Sequence, residues 1–235
     1  MSEEMSIKVN FGKPLPLFPL NHVTLMPQQV TPLHIFEPRY RQMVKHALDA
    51  SGQIAMAVFD GDAWKEEYLG NPPVKPAVCL GHIVQHETLG DGRYNILLQG
   101  ICRARIVSEV PPDDGHEYRR AMLEPVGLEH LSEEDLSSFR ARMMHLFEEG
   151  PLTEMAAAEP LLQYFRNDEI PTRALLELVA FAVVSDNDLK YALLAEGDER
   201  GRVKLLGDEL EHLGSLIQRA AAQHPENWPK GCSWN

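Results

Sequence analysis

The apolar residues of this chain change their period once, near residue 130, and that change constrains the fold more than any other feature. Before Gly127 they fall in short runs of the kind strands make. From Leu131 onward they recur at every third or fourth position, as on the buried face of a helix. A chain divided in this way is expected to be α+β, with a barrel subdomain over 1–127, a helical bundle over 128–222 and a tail over 223–235.

In the first part, Leu15 to Leu20, Val23 to Met26 and Val30 to Ile35 are apolar runs interrupted by Pro16, Pro19, Pro27 and Pro32. Proline donates no ladder hydrogen bond, so short strands at edges, bulges or ends are expected. Pro38 suits the first turn of a helix, with Tyr40, Met43, Val44, Ala47 and Leu48 on one face and Gly52 as its stop. Ile54 to Phe59 is apolar on both faces, as a buried strand would be. Asp91-Gly92 predicts a type I′ hairpin turn, and Gly100 a bulge or barrel corner in the long run Arg93 to Val107. With Tyr118 to Val126 as a last strand, seven or so strands of this kind suggest a small closed or partly open barrel.

In the second part, Ser132 and Asp135 form a capping signature ahead of Leu136, Phe139, Met143, Leu146 and Phe147, and Gly150-Pro151 ends that helix. Further helices are expected over Glu154 to Phe165, Thr172 to Val184 and Asp186 to Ala195. The last, Glu199 to Ala222, carries a seam of Val203, Leu206, Leu210, Leu213, Ile217 and Ala220.

Charge excludes some functions. Lys and Arg number 22 against 35 Asp and Glu, and a net −13 repels phosphate backbones, so nucleic acid is not expected as a partner. Three widely spaced cysteines, Cys79, Cys102 and Cys232, fit a reducing compartment. The acidic N-terminus does not read as a signal peptide, and the longest apolar run, Leu175 to Val184, is half of what a membrane span needs. A cytoplasmic protein without a membrane partner is the expectation.

The segment PLFPLNHVTLMPQQVTPLHIFEPRYRQMV, Pro16 to Val44, resembles the opening of the substrate-binding domain at the N-terminus of Lon proteases. Gly81 to Val107 resembles the same family's strand and hairpin block, and Leu175 to Leu213 its helical end. The resemblance implies a PUA-like β pseudo-barrel followed by an α-helical bundle. The chain resembles the free-standing Lon-domain proteins of bacteria. The chain ends after the bundle and lacks a G-x-x-x-x-G-K-[ST] loop, so neither the ATPase module nor the Ser/Lys protease of full-length Lon is expected, and no cofactor.

Five groups of residues bear on function. His34, Glu37, Arg39 and Tyr40 could act as acid and base, but the structural reading is the stronger one: Glu37 at a helix start suits capping of backbone N–H groups, and Arg39 pairing with acidic neighbours. His82 and His86, with Cys79 or Cys102, are the nearest approach to a metal site, yet diagnostic spacing is lacking, and no metal is expected. No G-x-S-x-G elbow appears, and Cys79 and Cys102 sit in strand-like apolar runs where inert buried thiols are expected, so no catalytic cysteine is expected. Arg93, Arg103, Arg105, Arg119 and Arg120 could form a basic strip, although interleaved carboxylates favour a solvated face. Trp64 and Tyr68 stand in the polar connection Asp60 to Pro76, where they either pack back or border a peptide-accepting surface. Trp228 and Trp234 raise the same question for the tail.

The leading expectation is a non-catalytic recognition module for unfolded or degron-bearing polypeptides, working with a separate protease or chaperone, with Trp64 and Tyr68 at the peptide site and a homodimer as one form. A hydrolase using His34, Glu37 or His82 with His86, with its site in a cleft between barrel and bundle, is the rival from another class, and an RNA-binding PUA-like protein is the third reading.

Overall fold

The computed structural model describes residues 8–67 and 70–222. Six strands and six α-helices follow the chain: β1 (Leu15–Leu20), β2 (Val30–Ile35), α1 (Pro38–Leu48), β3 (Gln53–Val58), β4 (Ala77–Thr88), β5 (Tyr94–Glu109), β6 (Arg120–Pro125), α2 (Glu133–Glu148), α3 (Ala158–Phe165), α4 (Thr172–Val183), α5 (Asn187–Ala195) and α6 (Glu199–Ala222). The mixed α+β class is the expected one. Two compact units result, and the first takes in everything up to Glu129 together with Ser185–Asp198. Helix α5, expected within the bundle, thus belongs to the strand-built unit.

The sheet runs β2-β5-β4-β3-β1-β6, and β6 also pairs with β5, so five strands close into a ring and β2 lies outside it. Closure is possible because β5 is long enough to serve two neighbours: Tyr94 to Gln99 pairs with β2, and Ala104 to Glu109 with β6. Between these halves sits Gly100, and the β4–β5 register slips there, with Leu80 opposite Cys102 but Gly81 opposite Gly100. The expected corner has a steric cause. A Cβ on Gly100 would lie 2.1 Å from the Met26 carbonyl oxygen. The chain crosses here so closely that Gln28 N–H donates to the Gly100 carbonyl at 2.9 Å and Gly100 N–H to Gln29 at 2.8 Å.

That crossing explains why Val23 to Met26 is not a strand. Pro27 has no N–H for a ladder, and His22 and Gln28 adopt positive φ (56° and 67°), which turns the segment inward and buries Leu25 and Met26. The β4–β5 turn also departs from expectation. Only Gly92 has positive φ (79°), not Asp91, so the loop is a three-residue connection with a glycine bulge, closed by Leu89 N–H to Arg93 O at 2.8 Å, rather than type I′.

The ring is filled by Leu15, Leu17, Ala55, Ala57, Val78, Leu80, Ala104, Ala121 and Leu123. Four alanines fit the narrow interior of a small barrel. Strand β3 is buried at all six positions, as its unbroken apolar run requires. It pairs in parallel with β1, and a parallel neighbour needs a crossover; β2 and α1 provide it, with α1 packing Tyr40, Met43, Val44 and Ala47 inward.

In the second unit, α2 starts with the expected capping box between Ser132 and Asp135. The helix expected from Glu154 is split into a 3-10 turn, Pro151–Glu154, and α3. Pro160 stands in the first turn of α3, where its ring would strike the carbonyl four residues back if the helix ran through. Helix α6 buries Leu206, Gly207, Leu210 and Gly214, while Val203, Leu213 and Ile217 are half-buried and Ala220 is exposed. Glycine belongs in the seam because a Cβ on Gly214 would sit 2.7 Å from the Pro151 ring.

Candidate recognition cleft

The connection from β5 to β6 is shaped by one carboxylate. Asp113 accepts the Gly115 N–H at 2.9 Å and contacts His116 Nδ1 at 2.7 Å, and its second oxygen pairs with Arg120. The hydrogen bond from His116 is the main reason its carboxyl lies below the usual range. His116 stacks edge-on with Tyr118 (5.4 Å) and His46 (5.5 Å), and His46 Nδ1 meets the Tyr118 hydroxyl at 3.0 Å. Burial pushes the Tyr118 phenol up. Arg119 pairs with Glu109 (2.5 Å) and donates to the Pro72 carbonyl at 2.7 Å, tying the Asp60–Pro76 connection to β6.

Between those two connections lies a cleft of about 410 Å³, walled by Pro19, Tyr40, Gly70, Asn71, Pro111, Pro112 and Tyr118. Exposed Pro111 and Pro112, backed by the buried Tyr40 and Tyr118, and alternating acids and arginines offer apolar surface and hydrogen bonds of both senses, which suits an extended polypeptide better than a point charge. The sequence reading misses Pro111, Pro112, His116 and Tyr118, although the signal is the one that singles out Trp64: prolines and large side chains clustered in a polar connection.

The other candidates fare differently. His34 Nδ1 meets Asn95 Oδ1 at 2.7 Å, Arg93 reaches His34 Nε2 at 3.3 Å, and Asn95 donates to Glu87 at 2.9 Å. Arginine can only donate, so the His34 lone pair is engaged and the ring is held as the Nδ1–H tautomer, a poor arrangement for a base. Glu37 makes no cap bond; its carboxylate accepts from Arg39 at 3.2 Å, and that guanidinium lies 4.5 Å over the Tyr40 ring. His82 and His86 do not share a face. The bulge between Ile83 and Gln85 places them opposite Gln99 and Ile96, three apart on β5 and hence on opposite sides. His86 instead joins His34 along a shallow hollow of the sheet. Among the described residues no group of three or more His, Cys, Asp or Glu could hold a metal ion. Cys79 is buried, and burial raises the Cys102 thiol.

The arginines form no basic strip. Arg93 pairs with Asp91 at 2.6 Å, Arg105 with Glu124, Arg119 with Glu109 and Arg120 with Asp113, while Arg103 is buried and donates to the Leu193 carbonyl at 3.3 Å. Trp64, in the 3-10 turn Ala63–Lys65, stacks on Phe59 with centroids 5.9 Å apart. Tyr68, Trp228 and Trp234 lie outside the described residues.

A closed ring of strands carrying a proline-lined cleft, and a helical unit, make up the fold. A family model for the ATP-dependent protease La (LON) substrate-binding domain matches residues 14–212, and the chain belongs to that family. Among curated relatives, a Lon protease of Solibacter usitatus (strain Ellin6076) is 27% identical over 158 residues, 67% of this chain and 19% of that protein. Lon protease 1 of Myxococcus xanthus is 29% identical over 105 residues, covering 43% of this chain and 13% of the relative. The chain thus spans a fifth or less of their length. Its fold is similar to the N-terminal domain of a Mycobacterium avium complex Lon protease (TM-score 0.65, 17% identity, covering 85% of this chain and 98% of that one). A Lon N-terminal domain protein from Xanthomonas campestris is also similar (TM-score 0.56, 18% identity, 83% and 98%).

Proposed function

We propose that this chain is a non-catalytic recognition module that binds unfolded or degron-bearing polypeptides in the cleft between the Asp60–Pro76 and Val110–Arg119 connections, and passes them to a separate protease or chaperone. Membership of a substrate-binding family supports binding of protein substrates. The observation that carries the site is the pairing of the exposed Pro111 and Pro112 with a tethered but exposed rim at Gly70 and Asn71. Trp64, stacked on Phe59, belongs to the same connection, and with Tyr68 it is the aromatic pair whose contribution to binding is to be tested. Among the described residues no helix is long and apolar enough to cross a membrane, and Cys79 and Cys102 are free thiols, which supports a cytoplasmic assignment.

The test is fluorescence anisotropy of the purified protein with a labelled, permanently unfolded polypeptide, comparing wild type with Asn71→Arg and with Trp64→Ala/Tyr68→Ala. Binding by wild type, abolished by Asn71→Arg and weakened by the aromatic pair, is expected. A folded wild type that binds no unfolded chain would overturn the proposal, and binding indifferent to Asn71→Arg would move the site elsewhere.

A further inference from the structure

Beside the cleft lies a second cavity of about 440 Å³, at the start of β1 and the end of α1, whose lining differs in kind from the rest of this acidic chain. Lys8, Lys13 and Arg120 contribute cationic groups, His46 and His116 imidazoles, and Tyr118 a hydroxyl; no aspartate or glutamate lines it. In a chain with 35 acidic residues among 235, fourteen lining residues free of carboxylates stand out. The opposite wall is apolar, formed by Pro14, Leu15, Pro16, Ala47 and Ala50.

Four features bear on whether an anion fits. Arg120 is already paired with Asp113, so its charge is largely spent. Lys8 and Lys13, by contrast, are exposed and meet no carboxylate among the described residues. The end of α1 would repel an anion through its free carbonyls, but the Ala47 carbonyl accepts from Ala50 (3.1 Å) and Gly52 (2.7 Å). His46 and His116 each have Nδ1 engaged, with Tyr118 and Asp113, and each leaves Nε2 without a partner among the described residues. His116, Tyr118 and Arg120 line both this cavity and the recognition cleft, so a chain lying in the cleft could reach the cavity past those three side chains.

We infer that this cavity is a carboxylate pocket that receives the free C-terminal α-carboxylate of the bound polypeptide, with the last side chain against Pro14, Leu15 and Ala47. The lysine ammonium groups serve the carboxylate, joined by the Nε2–H of His46 when the Tyr118 hydroxyl donates to its Nδ1, while His116 gives its Nδ1–H to Asp113 and only borders the pocket; the apolar wall serves the residue that carries the carboxylate. This inference rests on the polypeptide-binding reading above and adds to it which part of the client is read.

Labelled peptides of one sequence, ending in a free carboxylate or a C-terminal amide, are titrated into the full chain, its Lys8→Ala/Lys13→Ala variant and its Lys13→Glu variant. Amidation is expected to weaken binding about tenfold, the size of a lost charge-assisted hydrogen bond, and each variant should erase the difference between the two peptides. Inorganic phosphate should compete weakly and only against the free carboxylate. Equal binding of both peptides by the wild type overturns the carboxylate pocket and leaves polypeptide binding intact. Absence of binding by either peptide defeats the broader reading and the pocket with it, and tight phosphate binding that displaces neither peptide assigns the cavity to a small oxyanion instead. Both lysines are exposed, so circular dichroism of the variants should match wild type.

Discussion

The phenol oxygen of Tyr191 accepts the backbone N–H of Ala77 at 2.9 Å, joining positions 114 apart in the chain. Ala77 opens β4 and Tyr191 lies in α5, so this bond fastens the short helix to the barrel, and the Lys75 ammonium sits 4.5 Å over the same ring. Tyr191→Phe keeps the ring and removes the acceptor. It should cost about 1 kcal/mol in chemical denaturation and speed hydrogen exchange at the Ala77 amide. An unchanged exchange rate would show that the other contacts of α5, its buried leucines and the Arg103 bond to Leu193, hold it without this one.

Gly100→Ala should be among the most damaging single changes in the barrel. Its Cβ would meet backbone, the Met26 carbonyl at 2.1 Å, which cannot rotate away. A loss of about 4 kcal/mol or more, read as insoluble expression or a collapsed unfolding midpoint, is expected. Gly90→Ala is the control: nothing lies within 4 Å of its Cβ and its φ is not positive, so stability should move by less than about 0.5 kcal/mol.

Arg140 organises the turn between α3 and α4. Its guanidinium donates to the carbonyls of Phe165 (2.7 Å), Asn167 (2.8 Å) and Ile170 (2.8 Å). Three acceptors need a planar fork, which lysine lacks, so Arg140→Lys should destabilise the helical unit by about 2 kcal/mol despite keeping the charge. Thermal unfolding measured against Arg140→Met separates geometry from charge.

Two groups set opposite pH limits. A side-chain hydrogen bond from Thr172 is the chief cause of the lowered Glu133 pKa, helped by the Thr172 N–H, which both Glu133 carboxylate oxygens accept at 3.0 and 3.1 Å, and the carboxyl is held below its ordinary 4.5. A lowered carboxyl stabilises the fold above the unfolded value and loses that contribution as pH falls through its folded value. Denaturation midpoints should therefore drop at acid pH, and less steeply in Glu133→Gln. Burial raises the Tyr191 phenol above 10.0, so its contribution is intact below pH 10 and fades above it; Tyr191→Phe should flatten that alkaline loss.

Trp64→Ala removes a ring stacked on Phe59, and should cost about 1 kcal/mol whether or not the loop binds peptide. A stability loss without a binding loss would assign Trp64 to packing alone.

Local chemistry determined most of the elements. The Pro38 start, the Ser132–Asp135 box, the Gly100 corner and the unbroken run of β3 are each readable because a proline ring, a cap or an apolar period acts within a few residues. Tertiary structure alone decided what depends on distant partners. Ring closure through β6, the docking of α5 by Tyr191 and Arg103, and the bulge that separates His82 from His86 all arise from strand pairing across tens of residues. The cleft is of this second kind. Asp113, His116 and Tyr118 acquire their setting from His46, some 70 positions earlier, and no period in the sequence encodes a contact between side chains that only the closed barrel brings together.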